Sequence, residues 1–118
     1  MARQERRGAV RVPARLAMEI QVGADAERVE SLNVSANGVY FASPRYIAPL
    51  TRLRVVLDLP GAKGRAKANV SVDGVVVRTE PEEESSGVDQ YEIACYFTSI
   101  SNGDRETLES YILTHVPF

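Results

Sequence analysis

Two short segments carry side chains whose types and spacing suit the capture of a small anionic ligand. In Arg6-Arg7-Gly8-Ala9-Val10-Arg11-Val12-Pro13, Arg7 and Arg11 stand four apart, just ahead of a proline that biases Val12 toward extended backbone. A guanidinium is planar and permanently charged; it binds phosphate oxygens bidentately, grips the O6/N7 edge of guanine, or stacks on a base. A ligand offering both phosphates and guanines would use all three modes. Taken alone, an Arg-x-x-x-Arg is more often a solvated basic tail that binds nothing specific.

The second segment is Asn33-Val34-Ser35-Ala36-Asn37-Gly38. Asn33 and Ser35 alternate with Val34, so strand geometry sends both polar side chains to one face while Val34 enters the core. An amide at Asn33 offers an acceptor and donors to a base edge, and the Ser35 hydroxyl can donate to phosphate. Gly38 permits a positive φ or a close backbone approach. The competing reading is an ordinary hairpin turn, which Asn37-Gly38 explains by itself.

Other chemistry finds little support. The chain has one histidine, His115, and one cysteine, Cys95, so neither a metal cluster nor a Cys/His pair is signalled. Asp58, Asp73 and Asp89 show no acid/base spacing, and no glycine-rich phosphate loop of the Walker or Rossmann type is present. Binding without turnover, without a cofactor and without a metal, is the expectation.

The 118 residues suffice for one domain with one core. Hydrophobic residues at 44% and charged residues at 25% are globular values, and no apolar run approaches a membrane span or a signal peptide. A cytoplasmic location without membrane insertion is expected. Charge is uneven: the first 15 residues hold five arginines against Glu5, a balance of +4, whereas the remainder holds nine cations against fifteen acids, a balance of −6. A basic arm on an acidic body suits a small anion better than DNA or RNA, whose binders spread positive field over a face.

The elements that must position these groups are mostly strands, because period-two alternation dominates. Leu16, Met18, Ile20 and Val22 mark a first strand ending near Gly23. A second is expected over 29–35, a third from Val39, a fourth over Leu53–Leu59, a longer one over Ala68–Thr79, and a last over Gln90–Phe97. Residues 62–67 read as a turn, and Gly74 as a bulge or sharp bend that relieves barrel twist. The acidic stretch 80–87 reads as a solvated hairpin loop, since adjacent like charges repel. Cys95 lies in the apolar Ile93–Phe97 run and is expected to be a buried free thiol. The period then becomes helical: Ser101 is a candidate N-cap, Asp104 and Glu106 occupy the first turn, and Leu108, Tyr111, Ile112 and His115 share a face, with His115 at the negative helix end. A mainly β fold follows, a six-stranded antiparallel barrel with a C-terminal helix able to cover an open end.

Together the two polar segments resemble the PilZ family of bacterial cyclic di-GMP receptors, whose signatures are Arg-x-x-x-Arg and [Asp/Asn]-x-Ser-x-x-Gly. Arg7 and Arg11 match the first, and Asn33, Ser35 and Gly38 the second. Asp73–Arg78 and Glu92–Phe97 are similar to the family's later barrel strands. The resemblance implies a flexible arginine-rich arm over 1–14 and a barrel domain over 15–118. It also implies that Arg7 and Arg11 hold guanine edges and phosphates, that Asn33 and Ser35 contact the ligand from the barrel, and that Gly38 shapes the turn. Arg6 occupies the place that accompanies an intercalated ligand dimer in the family. Binding would order the arm and present a changed surface to a downstream protein partner. Two rival readings are a PilZ-like protein adaptor that binds no nucleotide, which usually lacks these arginines, and a β-barrel binder of RNA or single-stranded DNA. The latter needs exposed aromatics, and aromatic residues make up 7% of the chain with no tryptophan.

Overall fold

A computed structural model describes residues 10–60 and 67–115. Its strands are β1 (Val12–Pro13), β2 (Ala17–Val22), β3 (Asp25–Val34), β4 (Gly38–Ser43), β5 (Arg52–Leu59), β6 (Ala68–Glu80) and β7 (Tyr91–Ile100), followed by helix α1 (Asn102–Thr114). Every pairing is antiparallel, in the order β1-β3-β2-β5-β6-β7-β4. A further β3–β4 pairing closes β2 to β7 into a six-stranded barrel, and β1 is an extra strand laid on β3. Closure leaves no long unpaired edge among these six strands.

The alternation read from the sequence is the parity of this barrel. Met18 and Ile20 of β2, Val39 and Phe41 of β4, Leu53, Val55, Leu57 and Leu59 of β5, Val70, Val72 and Val76 of β6, and Ile93, Cys95 and Phe97 of β7 all point into one core. Strand β3 begins at Asp25, four residues before its expected start. Its first half carries Asp25, Ala26, Glu27 and Arg28, none of them buried, so no apolar alternation announced it. Gly23, with φ +60°, forms the tight connection that pairs Val22 with Asp25. The expected bulge is present: the β6–β7 register shifts between Asp73 and Gly74, and again between Val76 and Arg78. Beyond the first shift, the pairing of Asp73 with Ser99 and of Val72 with Ile100 carries β7 on to Ile100, past its expected end. The expected turn at 62–67 lies outside the described residues except for Lys67.

Helix α1 starts as expected. The Ser101 Oγ accepts from the Asp104 backbone N–H at 3.1 Å, and Leu108 and Ile112 are buried. Asp104 also accepts from the Ser71 backbone N–H at 3.1 Å, which ties the first helical turn to β6, the strand α1 chiefly contacts. His115 is the C-cap residue; its ring stacks on Tyr111 at 4.1 Å, and its Nδ1 lies 2.8 Å from the Tyr111 carbonyl, which accepts.

Candidate functional site

The base of the N-terminal segment is fastened to the barrel. Val12 is fully buried and pairs with Val34, and Pro13 pairs with Asn33. Proline has no N–H to give a second neighbour, which suits an outermost strand. The buried Ser31 makes the fastening firm: its hydroxyl donates to the Ala14 carbonyl and accepts from the Leu16 N–H at 2.8 Å. Backbone bonds from Ala14 N–H to Leu32 O and from Ser31 N–H to Leu16 O complete the seam. Sequence reading missed Ser31, because a serine at an inward position carries no motif.

This seam carries the arginine segment to the first-hairpin face. Arg11 is exposed, and its Nη1 donates to Asn33 Oδ1 at 2.7 Å. The bond uses one of the five N–H donors of a guanidinium and fixes the amide of Asn33 with its NH2 turned elsewhere. Arg6 and Arg7 lie outside the described residues.

The two remaining motif residues are placed differently from a simple strand reading. Strand β3 ends at Val34 and the chain turns, so Ser35 is buried instead of displayed beside Asn33. Its backbone N–H donates to Gly38 O at 2.9 Å, and its Oγ accepts from the Asn37 N–H at 3.1 Å. The hydroxyl is thus engaged in the turn it sits in. Gly38 is the first residue of β4, and its φ lies outside the left-handed range, so close approach is what requires glycine there. A Cβ at this position would stand 2.5 Å from the Cys95 carbonyl oxygen. The Asn37 carbonyl in turn accepts from Phe97 N–H at 2.8 Å, which locks the turn onto β7.

The strand registers set the residues of this face in two rows, the second of which begins with the buried Ser35 and Gly38. One row runs Pro13, Asn33, Tyr40, Ala94, Arg78; the other runs Ser35, Gly38, Tyr96, Val75, Arg52. Arg11, one step beyond the Val12–Val34 pair, comes level with Ser35. The Tyr40 hydroxyl donates to Glu92 at 2.7 Å, and this bond, with burial and the carboxylate charge, pushes the phenol above its ordinary range against the opposing pull of Arg78. Tyr40 and Tyr96 escaped the sequence reading, although their parity opposite Val39, Phe41, Cys95 and Phe97 marks both as outward. A cleft of about 180 Å³ elsewhere, lined by Ile20, Arg45, Tyr46 and Thr51 among others, gathers none of the expected site residues. Among the described residues, no group of three or more His, Cys, Asp or Glu is arranged to hold a metal ion.

The sequence profile of the PilZ domain matches residues 3–114, nearly the whole chain. The chain belongs to the PilZ family. In three dimensions this PilZ domain is similar to the inhibitor of motility MotI/DgrA of Bacillus subtilis, with a TM-score of 0.75 and 22% identity over 91% of this chain and 49% of that one. It is also similar to the PilZ domain of Escherichia coli YcgR with c-di-GMP, with a TM-score of 0.69 and 14% identity over 93% and 91% of the two chains. A third likeness is to K. pneumonia MrkH in its apo state, with a TM-score of 0.69 and 16% identity over 92% and 50%. The chain therefore spans about half the length of MotI/DgrA and of MrkH. At these identities the likeness speaks to the fold. No curated protein matches the chain in sequence. No helix among the described residues is long and apolar enough to cross a membrane.

Proposed function

We propose that this PilZ domain is a non-enzymatic cyclic di-GMP receptor, in which ligand binding changes the conformation of the arginine-rich arm and a protein partner reads the change. The observation that carries the reading is the 2.7 Å bond between Arg11 and Asn33, which joins one residue of each family signature on one outward face. Membership of the family and the fold shared with the YcgR domain bound to c-di-GMP lend further support.

Arg7 and Arg11 supply bidentate contacts to phosphates and guanine edges, and Asn33 supplies a second polar edge. Ser35 acts chiefly by holding the turn that sets Gly38 against β7, so its part in binding is to shape the face. The arm carries like charges that repel one another; phosphates relieve that repulsion and favour an ordered arm. Arg6 adds the capacity for an intercalated pair of ligands. The setting is the cytoplasm, with no nucleic acid and no cofactor involved.

Calorimetric titration with purified cyclic di-GMP tests this. Arg7→Ala and Arg11→Ala should each weaken binding at least about a hundredfold, in line with the loss of charged hydrogen bonds and stacking, while the melting temperature stays unchanged. A saturation point near two ligands per domain is expected, and one per domain would refute the role given to Arg6. Equal response to cyclic di-AMP and linear dinucleotides would reduce the site to a phosphate sink. No heat at all, with the fold intact, would favour the protein-adaptor reading.

A further inference from the structure

Tyr96 stands apart from the other four tyrosines of the chain. Tyr40 donates to Glu92, Tyr46 to the Glu82 carbonyl and Tyr91 to the Ser85 carbonyl. Tyr46 and Tyr91 also meet edge to face, and Tyr111 stacks on His115. Among the described residues Tyr96 has neither a hydrogen-bonded hydroxyl nor a stacked or edge-to-face aromatic partner, Tyr40 being its diagonal neighbour on β4, and it is 53% exposed in the middle of strand β7. An aromatic ring at such a position normally covers a cross-strand neighbour. Here the neighbour on β4 is Gly38, which has no side chain to be covered.

The surroundings give this bare ring a direction. On its other side Tyr96 pairs with Val75 of β6, whose side chain is half-buried and apolar. Toward the site, the same row continues through Gly38 and Ser35, both buried and small, to Arg11. Strands about 4.8 Å apart put Tyr96 and Arg11 roughly 14 Å from each other across that floor. Gly38 cannot be enlarged without striking the Cys95 carbonyl, and the Asn37 to Phe97 bond pins the turn to β7 directly beside Tyr96. The floor is therefore low and rigid, with the Arg11 guanidinium at one end and the exposed Tyr96 ring at the other. A planar heterocycle lying on this floor meets a π-face on the β7 side and donors on the β1 side.

From this arrangement we infer that Tyr96 forms the β7 wall of the ligand site and stacks on a purine base, while Arg11 and Asn33 address the phosphates and the base edge. The inference rests on the cyclic di-GMP reading above and adds a residue that lies outside both signature motifs. Base-aromatic stacking tolerates any base, so Tyr96 contributes affinity, and the discrimination of guanine stays with the guanidinium and amide groups.

The test is calorimetric titration of the 118-residue chain with cyclic di-GMP, using Tyr96→Phe, Tyr96→Leu and Tyr96→Ala, with thermal melting to establish that each is folded. Tyr96→Phe should keep the affinity of the unaltered chain, and Tyr96→Ala should weaken it about ten- to a hundredfold, the range measured for loss of one stacked base. Tyr96→Leu should fall with Tyr96→Ala, because apolar area without a π-face does not replace the stack. In proton NMR, the guanine H8 resonance of the bound ligand should move upfield with tyrosine or phenylalanine at this position and not with leucine. If the unaltered chain binds and Tyr96→Ala binds equally well, the stacking wall is overturned and the receptor reading survives. Should the unaltered, folded chain fail to bind, both fall together.

Discussion

Gly38 and Gly74 flank the same strand, β7, and both back onto Cys95, yet they are glycines for different reasons. Gly38 pairs with Tyr96 from the β4 side, and a Cβ there would meet the Cys95 carbonyl oxygen at 2.5 Å. Gly74 pairs with Phe97 from the β6 side, and a Cβ there would meet the Cys95 sulfur at 2.6 Å and the Tyr96 carbonyl oxygen at 2.9 Å. On the first side the obstacle is backbone inside a ladder, which yields only if the strands separate. On the second, half of the obstacle is a thiol that can turn. Gly74 also sits at a register shift, where the ladder is already relaxed. The contrast shows that a signature glycine can be demanded by strand packing before any ligand is considered, and that its place in a binding motif does not make it a contact.

The largest effect is expected at Gly38. Gly38→Ala should cost about 3 kcal/mol in urea unfolding, the upper part of the usual overpacking range, and should weaken cyclic di-GMP binding by distorting the floor between Arg11 and Tyr96. Unchanged stability would mean that the β4–β7 ladder can part to admit a methyl group at Gly38. Gly74→Ala should cost less, about 2 kcal/mol, and leave affinity unchanged when measured on folded protein. A double-mutant cycle sharpens the distinction: Cys95→Ala should offset about 1 kcal/mol of the Gly74→Ala penalty through a shared steric contact. The same cycle with Gly38→Ala should show no coupling, because the carbonyl remains.

The thiol between the two glycines gives a pH-dependent readout. Burial pushes the Cys95 thiol up to about 12 from the ordinary 9.0, partly offset by a hydrogen bond from the Val75 backbone. Above pH 9 the unfolded chain releases this proton while the folded chain keeps it, so stability falls as pH rises from 9 toward 12. Tyr40 and Tyr111, also raised, act in the same direction. Cys95→Ala should therefore flatten the alkaline loss of stability in part, as measured by denaturant midpoints at successive pH values; an unchanged slope would show the thiol to be more accessible than its packing between the glycines requires.

The smallest effect belongs to the inverse case, a left-handed position without a glycine. Leu50 has φ +74° and is 80% exposed, while its N–H donates to the Val76 carbonyl of β6 at 2.7 Å. Leu50→Gly should stabilise the domain by about 0.5 kcal/mol, relief of the left-handed penalty less the added freedom of the unfolded chain. Destabilisation would mean that the exposed leucine packs more than its surface suggests.

Which parts were legible in advance follows from how local each signal is. The strands of the core declared themselves through the parity of Met18, Ile20, Val55, Leu57, Val70, Val72 and Ile93, because alternation depends only on neighbouring residues. Ser101 declared the helix start for the same reason. The first half of β3 did not, since Asp25 to Arg28 are held by β2 and not by burial. Motif spacing marks Arg11 and Asn33 as candidates, and the fold brings their side chains together. The same spacing marks Ser35 and suggests a hydroxyl on display, whereas the turn that engages this hydroxyl is set by the fold. Ser31 and Tyr96 give no such local signal, because the surroundings of each are set by what lies across the sheet from it.

Within the amino-acid sequence alone lie the mainly β character with a terminal helix, the inward parity of the apolar strand residues, and the two polar signatures of the PilZ family. Those properties are periodicities and spacings within a few residues. It took the assembled barrel to zip β1 onto β3, to bring Arg11 to Asn33, and to set Gly38 between Ser35 and Tyr96. Neighbours across a sheet are chosen by register, and register is the joint outcome of burying every strand's apolar side at once.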